Sequence, residues 1–112
     1  VYNYDSMVTM SAVTATASGG TDSYALRVFN VSNTIRDSTL TAYGATSNYG
    51  VRAFASDGAW TLVIDHSKVT GATNTILIDS HFTTRVGGTL LDGGAADANG
   101  GTLVCAGVWD EA

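Results

Sequence analysis

Proline is missing altogether from this chain of 112 residues, cysteine occurs once, and charged side chains make up only 13% of it. Each shortage excludes something. A charged share well below the usual ~25% leaves too little charge to solvate the outer faces of helices. A single thiol, Cys105, can neither close an internal disulfide nor supply a Cys-x-x-Cys metal or redox site. No apolar run approaches the roughly 20 residues of a membrane-spanning helix, so membrane insertion is not expected. Basic residues are scarce as well. Arg27, Arg36, Arg52, Lys68 and Arg85 are scattered through a chain of net charge −5, which argues against nucleic acid as a partner.

What is abundant points the other way. Thirteen glycines and many Thr, Ser and Ala accompany an apolar share of 45%, too high for a disordered tail. A chain of this length forms one domain, 1–112, with a modest core. The composition suits β structure with small residues at its turns.

Internal repeats organise the chain. The stretches "VTMSAVTA" (8–15), "IRDSTLTA" (35–42), "IDHSKVTG" (64–71) and "VGGTLLDG" (86–93) share an apolar first residue, Ser or Thr fourth, an aliphatic sixth and Ala or Gly eighth. This alignment makes ladders of Val8, Ile35, Ile64 and Val86, and of Val13, Leu40, Val69 and Leu91. Ser11, Ser38, Ser67 and Thr89 form a hydroxyl corner, and Ala15, Ala42, Gly71 and Gly93 a small one. Between these lie "YALRV" (24–28), "YGVRA" (49–53), "NTILI" (74–78) and "GTLVC" (101–105), aligning Leu26, Val51, Ile76 and Leu103, then Val28, Ala53, Ile78 and Cys105. Arg27 and Arg52 point outward between them, because strand side chains alternate. Repeats this short cannot bury a face alone, and the 3.6-residue period of a helix is absent. Stacked coils of parallel strands remain: 1–7 as a partial first coil, then 8–33, 34–60, 61–82 and 83–112.

Coils of the form apolar-x-x-Ser-x-apolar-x-Ala/Gly resemble the right-handed parallel β-helix proteins of the pectin-lyase-like superfold. The tail "GGTLLDGGAADANGGTLVCAGVWDE" (87–111) is similar to the closing coil of bacterial secreted β-helix repeat proteins: Thr89, Leu91, Asp92, Gly93, Gly94, Gly100, Gly101, Thr102, Leu103, Cys105, Gly107, Val108, Asp110 and Glu111 match, with Trp109 at an aromatic position. The resemblance implies an all-β, right-handed solenoid of about four coils of 22–29 residues, open at both ends, at the cell surface or outside the cell.

The superfold includes polysaccharide lyases and hydrolases, so their requirements bear on this chain. Glycoside hydrolysis needs two carboxylates facing a groove. The alignment sets Asp37 beside His66 and Arg36 beside Asp65. The plain reading is exposed ion pairs across coils; the sharper one is an acid/base site of Asp37, Asp65 and His66. Few coils and a longest insertion of only "SDGAW" (56–60) disfavour catalysis. His81 reads as a turn residue, and "DANGG" (97–101) offers far fewer oxygens than a calcium loop needs. No metal and no cofactor are expected.

Aromatic residues form columns. Tyr4, Val31, Trp60, Phe82 and Trp109 align, and Trp60, Phe82 and Trp109 could present a platform to sugar rings or pack as a core ladder. Tyr24 with Tyr49, and Tyr2 with Phe29 and Phe54, make two more columns. The opening "VYNYDSMVTM" aligns with "VFNVSNTIRD" (28–37) at a step of 27, Val1 on Val28 and Tyr2 on Phe29, so the chain enters in mid-coil, at the phase of Cys105. With no helix to cap either end, Val1, Tyr2 and Tyr4 at one end and Leu103, Cys105, Val108 and Trp109 at the other are the expected stacking interface. The expected partners are other copies of the chain or additional coils of a longer one, with extracellular glycans as a further candidate. These readings predict a non-catalytic structural module, a glycan-binding adhesin, or a carbohydrate-active enzyme, in that order.

Overall fold

Period-two alternation and closely spaced corners fold this chain as a parallel β-solenoid of about four turns. The computed structural model describes residues 1–110; Glu111, at the end of the tail motif, and Ala112 lie outside the described residues. The strands are β1 (Tyr2–Tyr4), β2 (Val8–Ser11), β3 (Thr14–Ser18), β4 (Asp22–Phe29), β5 (Asn33–Arg36), β6 (Thr39–Tyr43), β7 (Ser47–Phe54), β8 (Trp60–Asp65), β9 (Lys68–Leu77), β10 (Phe82–Gly87), β11 (Leu90–Asp97), β12 (Thr102–Ala106) and β13 (Trp109–Asp110). All pairings are parallel.

Each turn visits three faces. One is the five-stranded sheet β12-β10-β8-β5-β2. The second, here the threonine face, runs through β3, β6, the first half of β9, the first half of β11, and β13. The third, the aromatic face, runs through β1, β4, β7 and the second halves of β9 and β11. In the early turns a loop separates the last two faces. In the third turn that loop shrinks, and one strand, β9, pairs with β6 at its start and β7 at its end.

The core is a set of stacked aliphatic columns. Ile35, Ile64 and Val86 stack in register, as do Leu40, Val69 and Leu91, and Leu26, Val51 and Ile76, all essentially inaccessible to solvent. Full burial of each such side chain stabilises by about 1.5–3 kcal/mol.

The corner between the five-stranded and threonine faces is built from backbone chemistry. Ala12, Asp37, His66, Gly88 and Gly107 all adopt left-handed φ between 44° and 60° there, and each of the first four donates its N–H to the next turn, as in His66 to Gly87 O at 3.0 Å. One residue further on, hydroxyls run up the corner. Ser67 Oγ donates to Asp65 O at 2.8 Å and accepts from Ser38 N at 3.1 Å, and Thr89 Oγ1 donates to Gly87 O at 2.8 Å and accepts from Ser67 N at 3.3 Å. Buried backbone groups that the sharp bend removes from the ladder are thereby satisfied.

Two parts of the expected register are corrected. In the first coil Met10, not Val8, stacks on Ile35, and Ala15, not Val13, on Leu40. Ala17 takes the place expected of Ala15, and the Val13 N–H, not Ser11, meets the Ser38 hydroxyl at 3.1 Å. The opening strand pairs at a step two shorter than expected, with Tyr2 on Arg27, Asn3 on Val28 and Tyr4 on Phe29. A slip of two residues leaves every side chain on its original face, so alternation alone could not detect it. In the last coil, Leu103 lies opposite Thr84 and Cys105 opposite Val86, in the five-stranded sheet rather than over Ile76 and Ile78. Ala96 occupies the place over Ile76, so Cys105 does not share the phase of Val1. The glycine-rich stretch after Leu91 continues β11 as far as Asp97, where Gly93 and Gly94 lie so close to the Gly71–Thr73 backbone that a Cβ on either would collide with it.

Candidate functional site

Asp37, Asp65 and His66 sit at the left-handed corner. His66 Nδ1 lies 3.0 Å from Asp65 Oδ1, with side-chain exposures of 71% and 36%. Arg36 is the register neighbour of Asp65, as the repeat implied. Asp37 and His66 occupy positions held by alanine or glycine in the other turns, so the fold asks them for a backbone conformation rather than for a side chain. A left-handed non-glycine residue costs about 1–2 kcal/mol. Replacing Asp37 by glycine is therefore expected to leave stability unchanged or raise it by up to about 1 kcal/mol, measured by urea denaturation; a loss above that figure would reveal a structural task for the carboxylate.

Asp79 has a clear structural task. Its carboxylate accepts from the Ala55 N–H at 2.8 Å and the His81 N–H at 2.9 Å, and His81 Nδ1 lies 3.3 Å away. The "SDGAW" insertion folds on itself: Trp60 Nε1 donates to Asp57 O at 2.9 Å, and the ring packs over Gly58. Asp97 Oδ1 accepts from Asn99 N at 2.8 Å, a local turn. Among the described residues no group of three His, Cys, Asp or Glu side chains is placed to hold a metal ion.

The expected aromatic platform is divided. Trp60 and Phe82 are register neighbours, but Phe82 is buried in the core and Trp60 half-buried. Trp109 lies on the threonine face opposite Leu90, 76% exposed. Of the stacking residues, Val1, Tyr2 and Tyr4 are exposed at one end of the solenoid; Cys105 and Trp109 are exposed and Leu103 and Val108 half-buried at the other.

The densest constellation lies on the aromatic face. The segments "YALRVF" (24–29) and "YGVRAF" (49–54) stack in register, Tyr24 on Tyr49, Arg27 on Arg52 and Phe29 on Phe54. Both Ala25 and Leu26 are buried. Two successive inward residues bend the strand there and bring Tyr24 close to Arg27 on the outside. The Arg27 guanidinium carbon lies 5.0 Å from the centre of the Tyr2 ring, 5.3 Å from Tyr24 and 4.9 Å from Phe54. That of Arg52 lies 5.7 Å from Tyr49 and 5.4 Å from Phe54. Tyr24 and Tyr49 stack at 5.2 Å, Tyr4 and Phe29 at 5.1 Å, and Phe29 tilts on Phe54 at 4.8 Å.

Electrostatically this lattice is unbalanced. Two cations lie side by side on neighbouring strands about 4.8 Å apart, an arrangement that repels. Ring faces return about 0.5–2 kcal/mol per cation. The ion pairs among the described residues use His66, Lys68 and His81, never an arginine, and Arg27 Nε is buried without a hydrogen-bond partner. The repeat had placed the two arginines outward and Tyr24 over Tyr49. It had put Tyr2 in the phenylalanine column, where Tyr4 belongs, and had not joined the columns into one surface.

No protein-family model, curated protein or solved structure matches this chain.

Proposed function

We propose that this chain is a non-catalytic structural module, a segment of right-handed β-helix of the pectin-lyase-like kind that extends by adding parallel coils at its ends, in an extracellular fibre or surface filament. One observation carries the reading. Large apolar side chains that remain exposed gather on the terminal strands and the turn beside them: Val1, Tyr2, Tyr4, Met7 and Val8 at one end, Val104 and Trp109 at the other, with only Tyr43 elsewhere among the described residues. Val8 ends an inward column whose next members, Asn33 and Leu62, are buried, and the outermost strands carry unpaired backbone groups, a template for another strand. A second copy stacked head to tail makes a heterologous contact, which propagates into an open filament.

Electron microscopy and light scattering of the purified chain test this. Rods of varying length are expected at physiological salt, and Val8→Lys or Val104→Lys is expected to shorten them to single particles while leaving the circular dichroism unchanged. Monodisperse single copies of the unaltered chain at high concentration would overturn the filament reading.

A second reading, glycan binding, is favoured by the aromatic face alone. Flat ring faces suit the C–H surfaces of pyranose rings, and successive strands repeat at about the length of one sugar residue.

A further inference from the structure

We infer that the Arg27–Arg52 lattice is a binding site for glycans that carry carboxylate or sulfate groups; this rests on the glycan-binding reading of the aromatic face and adds the charge requirement to it. Four observations converge. Arg27 and Arg52 are register neighbours on adjacent strands, a placement in which like charges are destabilising. Neither has a carboxylate partner among the described residues, although the chain contains ten acidic residues. The Nε of Arg27 is buried and unpartnered. Rings flank both guanidiniums, Tyr2 and Tyr24 beside Arg27, Tyr49 beside Arg52, and Phe54 shared between them.

An oxyanion set against both arginines would cancel their repulsion and accept charge-assisted hydrogen bonds from two planar donors. The ring bearing that anion would lie on the adjacent tyrosines. A neutral sugar could use the rings but not the cations. A nucleic acid could use both, yet its polyanionic backbone would meet the remaining negative charge of a chain of net charge −5.

Isothermal titration with four probes tests the inference: uronate oligosaccharides, sulfated dextran fragments, neutral cello-oligosaccharides and single-stranded DNA. One or both anionic glycans are expected to bind, the two arms separating carboxylate from sulfate, and binding is expected to weaken as ionic strength rises from about 0.1 to 1 M. Arg52→Gln and Arg27→Gln are each expected to weaken it about tenfold or more, the loss of one hydrogen bond to a charged group. Arg36→Gln, on another face, is expected to leave it unchanged, and unaltered thermal unfolding of Arg52→Gln separates lost binding from lost folding. Equal binding of neutral and anionic glycans would overturn the charge requirement and leave glycan binding standing. Absence of any glycan binding would overturn both, as would preference for the DNA.

Discussion

Ile64→Ala is expected to lower the free energy of unfolding by about 2–5 kcal/mol, measured by urea denaturation with an unchanged slope. Ile64 has no accessible surface and stands between Ile35 and Val86 in its column. Truncation leaves a cavity that the neighbours cannot close, because the strands carrying them are held at ladder spacing by β8 itself and by the pairings on either side. The same chemistry at the end of the sheet makes the comparison. Val8 is 37% exposed on β2, an outermost strand, and Val8→Ala is expected to cost less than about 1 kcal/mol. If the two substitutions cost the same, the columns do not carry the stability assigned to them.

Gly50→Ala is expected to destabilise by about 1–3 kcal/mol, although it adds one methyl group and its backbone demands no unusual φ. The penalty comes from crowding. A Cβ at Gly50 would run into Val69 Cγ1 and lie 2.7 Å from Thr75 O and 3.1 Å from Thr70 O. Those atoms belong to β9, which has lost the loop that separates two faces in earlier turns and so passes tightly over β7. Neither side can yield easily, since β9 pairs with β6 and β7 on one side and β11 on the other. The preceding turn has Ala25 at the same place in "YALRVF" and buries it without a collision. Thermal unfolding of Gly50→Ala and Ala25→Gly reads both directions: each is expected to lower the melting temperature, the first by overpacking and the second by a flexible backbone and a lost methyl. A neutral Gly50→Ala would show that the fused strand can move aside.

These two sites also mark how far the chain could be read in advance. The Ile64 column was legible because Ile35, Ile64 and Val86 recur in the same local pattern, with Ser38, Ser67 and Thr89 three residues further on. The role of Gly50 was not, because it depends on a strand one turn later losing its loop. For the candidate sites, Asp37 beside His66 and Arg27 beside Arg52 followed from the repeat. That the first pair occupies a left-handed corner, while the second lies in a shared bed of rings, did not.

The amino-acid order by itself determined that parallel strands stack into a solenoid, and which side chains face inward along the middle turns. Period-two alternation and a recurring hydroxyl corner are local properties that any viable register must respect. Only the tertiary structure decided the register of the first coil, where Met10 and Ala15 replace Val8 and Val13, and the face to which Leu103 and Cys105 belong. A two-residue slip keeps every residue on its side of the sheet, so the choice between registers is made by which corners close and which columns fill. The aromatic face belongs to the same category: the outward side chains of β1, β4 and β7 are constrained by no core. Their assembly around Arg27 and Arg52 appears only when the turns are stacked.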